Sequence, residues 1–197
     1  MHNHCLEDEE TLYVTEAKVG RPAPLFEMEA VMPKGEMLDR MGTVDMAKLI
    51  EEGKWIILYF YPYDFTFVCP TEIRRFNQLY ESFQNLGAEV IACSTDSTFS
   101  HLAWQNSELG RLDHPHAADK NHMVAEAYGL YDESKGIAWR GTFMIAPNGI
   151  LKHASVNHGE GGRNVDEVLR LLEVFKNELE GKLVPCGWAP GNEFLTK

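Results

Sequence analysis

Apolar positions along the chain follow two periods, and the switches between them mark the elements. Trp55-Ile-Ile-Leu-Tyr-Phe-Tyr61 is a continuous apolar run rich in β-formers, which suits a strand buried on both faces. Ala88-Glu-Val-Ile-Ala-Cys-Ser94 is a second core strand. Between them Ile73, Phe76, Leu79, Phe83 and Leu86 recur at three or four residues, which predicts one helix running from Cys69 to a stop at Gly87. A helix over 43–52 is expected to end at Gly53, and further helices are expected near 99–106 and 121–128. Strands at Gly141–Ala146 and Ile150–Val156 flank Pro147-Asn-Gly149, whose Asn-Gly pair is a hairpin signal. Asn164 precedes a final long helix, from Val165 to about Glu180, with Val168, Leu171, Leu172 and Phe175 on one face. The order strand, helix, strand, helix, hairpin, helix is an α/β pattern. It reads as a polar leader over 1–17, one domain over 18–180 and a Gly- and Pro-rich C-terminal arm over 181–197.

Composition narrows the class. Hydrophobic residues make up 44% of the 197, enough for a sizeable core. The balance of 18 Lys and Arg against 30 Asp and Glu gives a net charge of −12, which would repel a polyanion, so nucleic acid is not an expected partner. The longest apolar run is far short of the roughly 20 residues of a membrane helix. The first ten residues are acidic and lack the apolar stretch of a secretory signal, so a cytoplasmic location is expected, where thiols stay reduced. Cys5, Cys69, Cys93 and Cys186 show no metal spacing. They are inert core residues or redox groups. Cys93 lies inside a core strand and reads as a packed small hydrophobe. Cys5, beside His2 and His4, reads as part of a loose end rather than a metal site. His101, His114, His116, His122, His153 and His158 show no ligand spacing either, and no cofactor is expected.

The segment Tyr61-Pro-Tyr-Asp-Phe-Thr-Phe-Val-Cys-Pro-Thr-Glu72 carries the chemistry. Cys69 falls where a buried strand hands over to a helix, and Pro70 suits the first helical turn because it lacks an N–H there. A helix N-terminus offers free N–H donors and partial positive charge, both of which favour a thiolate. Thr66 can turn its hydroxyl toward the sulfur or toward an oxygen bound beside it, and Pro62 can roof the site. On these residues alone, an ordinary loop with a buried cysteine explains the stretch equally well.

Pro62, Thr66 and Cys69 match the pattern Pro-x-x-x-Thr-x-x-Cys, and the string Asp64–Glu72 resembles the active-site segment of typical two-cysteine peroxiredoxins, the branch that includes the peroxidase component of bacterial alkyl hydroperoxide reductase. Further similar segments are Asp96–Trp104, Arg140–Phe143 and Gly162–Arg170, so the resemblance spans nearly the whole chain. It implies a thioredoxin-like fold, a central mixed sheet flanked by helices. It also implies a peroxidase in which Cys69 becomes a sulfenic acid, with Arg140 and Thr66 stabilising the charge on the leaving oxygen. Glu72, one turn along, is placed to hold an arginine, and Arg163 and Trp104 are expected to support the site.

The same resemblance implies a resolving cysteine. Cys69-Pro-Thr-Glu72 has no second sulfur, so the candidate is Cys186, in Val184-Pro-Cys-Gly-Trp188. Proline precedes it, and the stretch between Val184 and Trp188 is one residue shorter than in the family. The implied disulfide joins Cys69 of one protomer to Cys186 of another, which requires a homodimer and suggests a ring decamer. The implied reductant is a thioredoxin-like dithiol or a flavoprotein disulfide reductase. Two rivals are a thioredoxin-like oxidoreductase without peroxidase activity and a non-enzymatic, ring-forming holdase.

Overall fold

In this computed structural model, which describes residues 16–196, the elements follow one another as β1 (Glu27–Val31), β2 (Met41–Asp45), α1 (Met46–Glu51), β3 (Trp55–Phe60), α2 (Cys69–Gln78), α3 (Tyr80–Asn85), β4 (Ala88–Ser94), α4 (Thr98–Trp104), β5 (His116–Ala118), α5 (Met123–Ala127), β6 (Tyr131–Asp132), β7 (Ile137–Ala138), β8 (Arg140–Ile145), β9 (Leu151–Asn157) and α6 (Val165–Leu179). Seven strands form one mixed sheet in the order β2-β1-β5-β4-β3-β8-β9. The central pairs β3–β4 and β4–β5 are parallel, and the flanking pairs are antiparallel. This is the α/β, thioredoxin-like arrangement expected.

Strand β3 explains why the sheet has two cores. All six of its residues are buried, and successive side chains point to opposite faces. Ile56, Leu58 and Phe60 pack with Phe26, Val44, Tyr128 and Phe143 on one side. Trp55, Ile57 and Tyr59 pack with Ile73, Phe76, Phe83 and Leu172, from the helices, on the other. Tyr61 extends this second row beyond the strand, and its backbone N–H donates to Cys93 O at 3.0 Å. The backbone then leaves the sheet, and the loop from Pro62 leads to Cys69.

Several expectations are corrected. Residues 43–45 belong to β2, not to a helix; the β-branched pair Thr43-Val44 sits in the sheet opposite Glu29 and Met28. The helix starts at Met46, where Asp45 accepts from Ala47 N at 2.9 Å. The helix after Cys69 is two helices, broken at Leu79, while Gly87 ends the second with φ +78°. Helix α4 is capped by Ser97 and passes into a π-helical turn, Gln105–Leu109. The short strands β1, β2 and β5 carry no run long enough to stand out in the sequence. Asn164 does cap α6, accepting from Glu167 N at 3.2 Å. The arm is more ordered than its composition suggests. Leu183 and Leu195 form an antiparallel bridge, Trp188 is buried, and its indole N–H donates to Asn192 O at 3.0 Å. Among the described residues no helix is long and apolar enough to cross a membrane.

Candidate active site

Val68 is the N-cap of α2 and Cys69 its first residue, with Pro70 following in the first turn. Cys69 is fully buried, yet it does not sit in a purely apolar pocket. Arg140 Nη1 donates to its Sγ at 3.2 Å. The sulfur therefore faces a cation and also lies at the positive end of a ten-residue helix.

Arg140 opens β8, and the backbone there is crowded. A Cβ on the next residue, Gly141, would come within 2.7 Å of a Leu130 methyl and 2.8 Å of the Phe143 ring, so a larger residue there would have to displace those side chains. The guanidinium is buried and is held by Glu72, which accepts from Nη1 at 2.8 Å. Burial works against the charge on Arg140, but the Cys69 sulfur and the Glu72 carboxylate outweigh it and hold the group above its ordinary range. Its Nε–H is buried with no partner among the described residues, a spare donor on the same guanidinium.

Glu72 is shared. Its other oxygen accepts from Arg163 N at 2.7 Å and from Arg163 Nε at 2.9 Å. Arg163 also donates to Gly141 O at 2.7 Å, Thr142 Oγ1 at 3.0 Å and Phe60 O at 2.5 Å. One carboxylate thus locks two arginines, and through Arg163 the cluster is tied to the ends of β3 and β8. A buried ion cluster is tolerable only when hydrogen-bonded on this scale.

Thr66 is bonded within its own loop. Its hydroxyl donates to Tyr63 O at 3.1 Å and makes no hydrogen bond to Cys69. Its hydrogen is committed to the loop, so what it offers a ligand is lone pairs. Pro62 is buried at the base of the same loop. Trp104 is buried, and its ring lies 6.1 Å from that of Tyr61 and 5.7 Å from that of Phe65, so it props the loop without entering the ion cluster.

The described cysteines are all free: Cys69 and Cys93 are buried, and Cys186 is exposed. Cys186 lies in the turn of the arm that Arg170 pins to α6 by donating to Trp188 O. Burial, with the Asp119 carboxylate adding, pushes the Cys93 thiol well above its usual range. Cys5, with His2 and His4, lies outside the described residues.

One group escapes a reading of the sequence. Asp64, His101 and His116 come from the Cys69 loop, α4 and β5, and they converge on the Tyr61 hydroxyl. Their positions in the chain follow no periodic spacing, so only the fold brings them together.

The profile of the AhpC/TSA family matches residues 19–154. A thioredoxin peroxidase of Trypanosoma brucei rhodesiense is 45% identical over 186 residues, covering 91% of this chain and 90% of the relative. A peroxiredoxin of Cynops pyrrhogaster is 42% identical over 186 residues, with the same coverage of 91% and 90%. Among solved structures, the reduced two-cysteine peroxiredoxin of Plasmodium vivax superposes with a TM-score of 0.83 at 33% identity, covering 89% of this chain and 91% of that one. Sequence and fold therefore agree over most of the chain's length, and the chain belongs to the AhpC/TSA family of peroxiredoxins.

Proposed function

We propose that Cys69 is the sulfur through which this enzyme carries out thiol-dependent peroxide reduction, and that Arg140, Glu72, Arg163, Thr66 and Pro62 build its pocket. The observation that carries the reading is the 3.2 Å contact from Arg140 to Cys69 Sγ, backed by Glu72 at 2.8 Å. The thiolate attacks the terminal peroxide oxygen. The S–O bond forms, the O–O bond breaks, and the departing alkoxide or hydroxide takes a proton to leave as alcohol or water. Arg140 stays charged throughout and stabilises the developing negative oxygen, for which its unused Nε–H is available. Thr66, with its own hydrogen on Tyr63, accepts the peroxide O–H and orients it. Glu72 and Arg163 keep the guanidinium from swinging away. Trp104 supports the loop.

The sulfenic acid then condenses with the Cys186 thiol of a second copy, forming an intermolecular disulfide and releasing water. Cys186 is exposed and Cys69 is not, so the first turn of α2 has to open for the sulfurs to meet. A homodimer, and rings of dimers up to a decamer, fit the surface around the site, where Phe65, Phe67 and Phe99 are exposed, Phe67 to 95%. A dithiol of the thioredoxin kind, or a flavoprotein disulfide reductase, closes the cycle; the naming of the trypanosome relative as a thioredoxin peroxidase supports the former. The domain over 18–180 carries the chemistry and the arm over 181–197 presents Cys186. The cytoplasm suits the free thiols. Glu72 stands where a Cys-x-x-Cys pair would need its second sulfur, and it is occupied by two arginines, so nothing favours a dithiol oxidoreductase reading.

The test is a non-reducing gel after one equivalent of peroxide. A dimer band should form in the parent and vanish in both Cys69→Ser and Cys186→Ser. A band that survives in Cys186→Ser would remove Cys186 from the mechanism.

A further inference from the structure

The loop from Pro62 to Val68 must hold Cys69 in its pocket and later release it, and its one buried carboxylate is the natural handle. Asp64 Oδ1 accepts from Tyr61 OH at 2.6 Å. Its Oδ2 accepts from Ser100 Oγ at 2.6 Å and from His101 Nδ1 at 2.9 Å. Its backbone N–H donates to Asp96 Oδ2 at 2.9 Å. The His101 ring is fully buried, and its Nε2 faces Ala117 O at 3.0 Å. The His101 ring thus lies between Asp64 on the loop and Ala117 on β5, while Ser100 and His101 tie Asp64 to α4.

Behind Tyr61 runs a second chain, and its direction can be read from the partners. Gln105 Oε1 accepts from Arg40 Nη2 at 2.6 Å and from Leu112 N at 3.2 Å, which fixes the amide orientation. Gln105 Nε2 then donates to His116 Nδ1 at 3.1 Å, and the His116 hydrogen sits on Nε2, facing the Tyr61 oxygen at 2.5 Å. Burial, joined by the nearby His101, His114 and Arg40, keeps His116 neutral. Tyr61 is thereby left to donate its own hydrogen to Asp64. The hydrogen bonds point one way, from Arg40 to the loop carboxylate, and the two imidazoles stack with centroids 3.8 Å apart. The ligand atoms of Asp64, His101 and His116 lie within 4.8 Å of one another, as in a metal site, but the Tyr61 hydroxyl fills the space between them. No polar side-chain atom of the cluster is left buried without a partner. It is a satisfied clamp.

We propose that Asp64 is a positioning residue for Cys69, and that the clamp of His101, Tyr61 and His116 on Asp64 sets how long the sulfur stays in its pocket before the loop opens toward Cys186. The proposal rests on the reading of Cys69 as the peroxide-reactive sulfur. A tight clamp favours fast attack on peroxide and slow disulfide formation. A loosened one reverses both, so the sulfenic acid has less time to meet a second peroxide. A merely structural role would lower stability without changing that partition.

The experiment uses the full chain and hydrogen peroxide. It measures sulfenic acid formation and disulfide formation separately in single turnover, and the sulfinic acid on Cys69 per turnover by mass spectrometry. Asp64→Asn should slow the first step by about tenfold, speed the second, and lower sulfinic acid, the size being that of a lost hydrogen bond to a charged group. His116→Leu, which leaves the His101 and Ser100 bonds to Asp64 in place, should shift the same ratio by about threefold, the size of one neutral hydrogen bond. His116→Gln keeps one donor and one acceptor and should restore the parent ratio. A partition unchanged in both Asp64→Asn and His116→Leu, or shifted equally by His116→Gln, overturns the proposal. No oxidation of Cys69 in the parent chain would instead overturn the reading it rests on.

Discussion

Cys69 and Cys93 are both fully buried and both lie near the same end of the sheet, and their surroundings differ in charge. Cys93 pairs in register with Phe60, the last residue of β3, and Cys69 opens the helix that follows that strand. Around Cys93 the sulfur contacts are soft: Met28 Sδ at 3.7 Å and the Ser94 carbonyl at 3.8 Å. Burial and the Asp119 carboxylate both disfavour its thiolate. Around Cys69 there is equal burial but a guanidinium at 3.2 Å. Burial therefore does not decide the fate of a thiol. What differs between the two sites is the sign of the nearest charged group, a guanidinium at Cys69 and a carboxylate near Cys93.

The largest effects should come from removing one sulfur or the other. Cys69→Ser should reduce peroxide consumption to the rate of buffer, because a serine hydroxyl stays protonated and is a poor nucleophile. Cys93→Ala should leave that rate within about twofold, since a buried small hydrophobe acts through packing alone. A stopped-flow assay of both variants breaks the comparison if Cys93→Ala is the one that fails.

Next in size is the charge that distinguishes the two sites. Arg140→Gln should lower the rate of Cys69 oxidation by about 100-fold to 1,000-fold, the range for loss of one preorganised donor to a developing anion. It should also slow iodoacetamide labelling of Cys69 at neutral pH and leave Cys93 labelling unaltered. Equal labelling of Cys69 with and without the guanidinium would place the activation in the helix end instead.

How much of this is legible in the sequence follows from where each residue lies. The end of the loop and the first turn of α2 form a contiguous string from Asp64 to Glu72, so several of the residues around Cys69 stand side by side in the chain. Arg140 and Arg163 stand out only through segments resembling a known family, because their convergence on Glu72 depends on β8 and α6 flanking β3. Thr66 is legible, but its hydrogen on Tyr63 is not, since backbone geometry within the loop decides it. The clamp is not legible at all. His101 and His116 sit on different elements, and β5 is three residues long, too short to show a period. The misreading of 43–45 as helix has the same origin: an edge strand is defined by its neighbour, here β1, rather than by its own composition.

The smallest effect sharpens the comparison from the inert side. Cys93→Ala removes one sulfur from a packed core, with Ala117 and Ile91 in the same cluster, and should lower stability by about 1–2 kcal/mol, the lower end of large-to-small core changes. Thermal denaturation reads that loss while peroxide turnover stays constant. In the parent chain, alkylation of Cys93 requires the β3–β4 ladder to open, because the folded thiol has neither exposure nor a nearby cation. Its labelling should therefore follow global unfolding in urea, whereas Cys69 needs only the first turn of α2 to move and should label well below the unfolding midpoint. Two sulfurs with identical burial would then differ in access as well as in neighbouring charge: one waits for the core to open, and the other for a single helical turn.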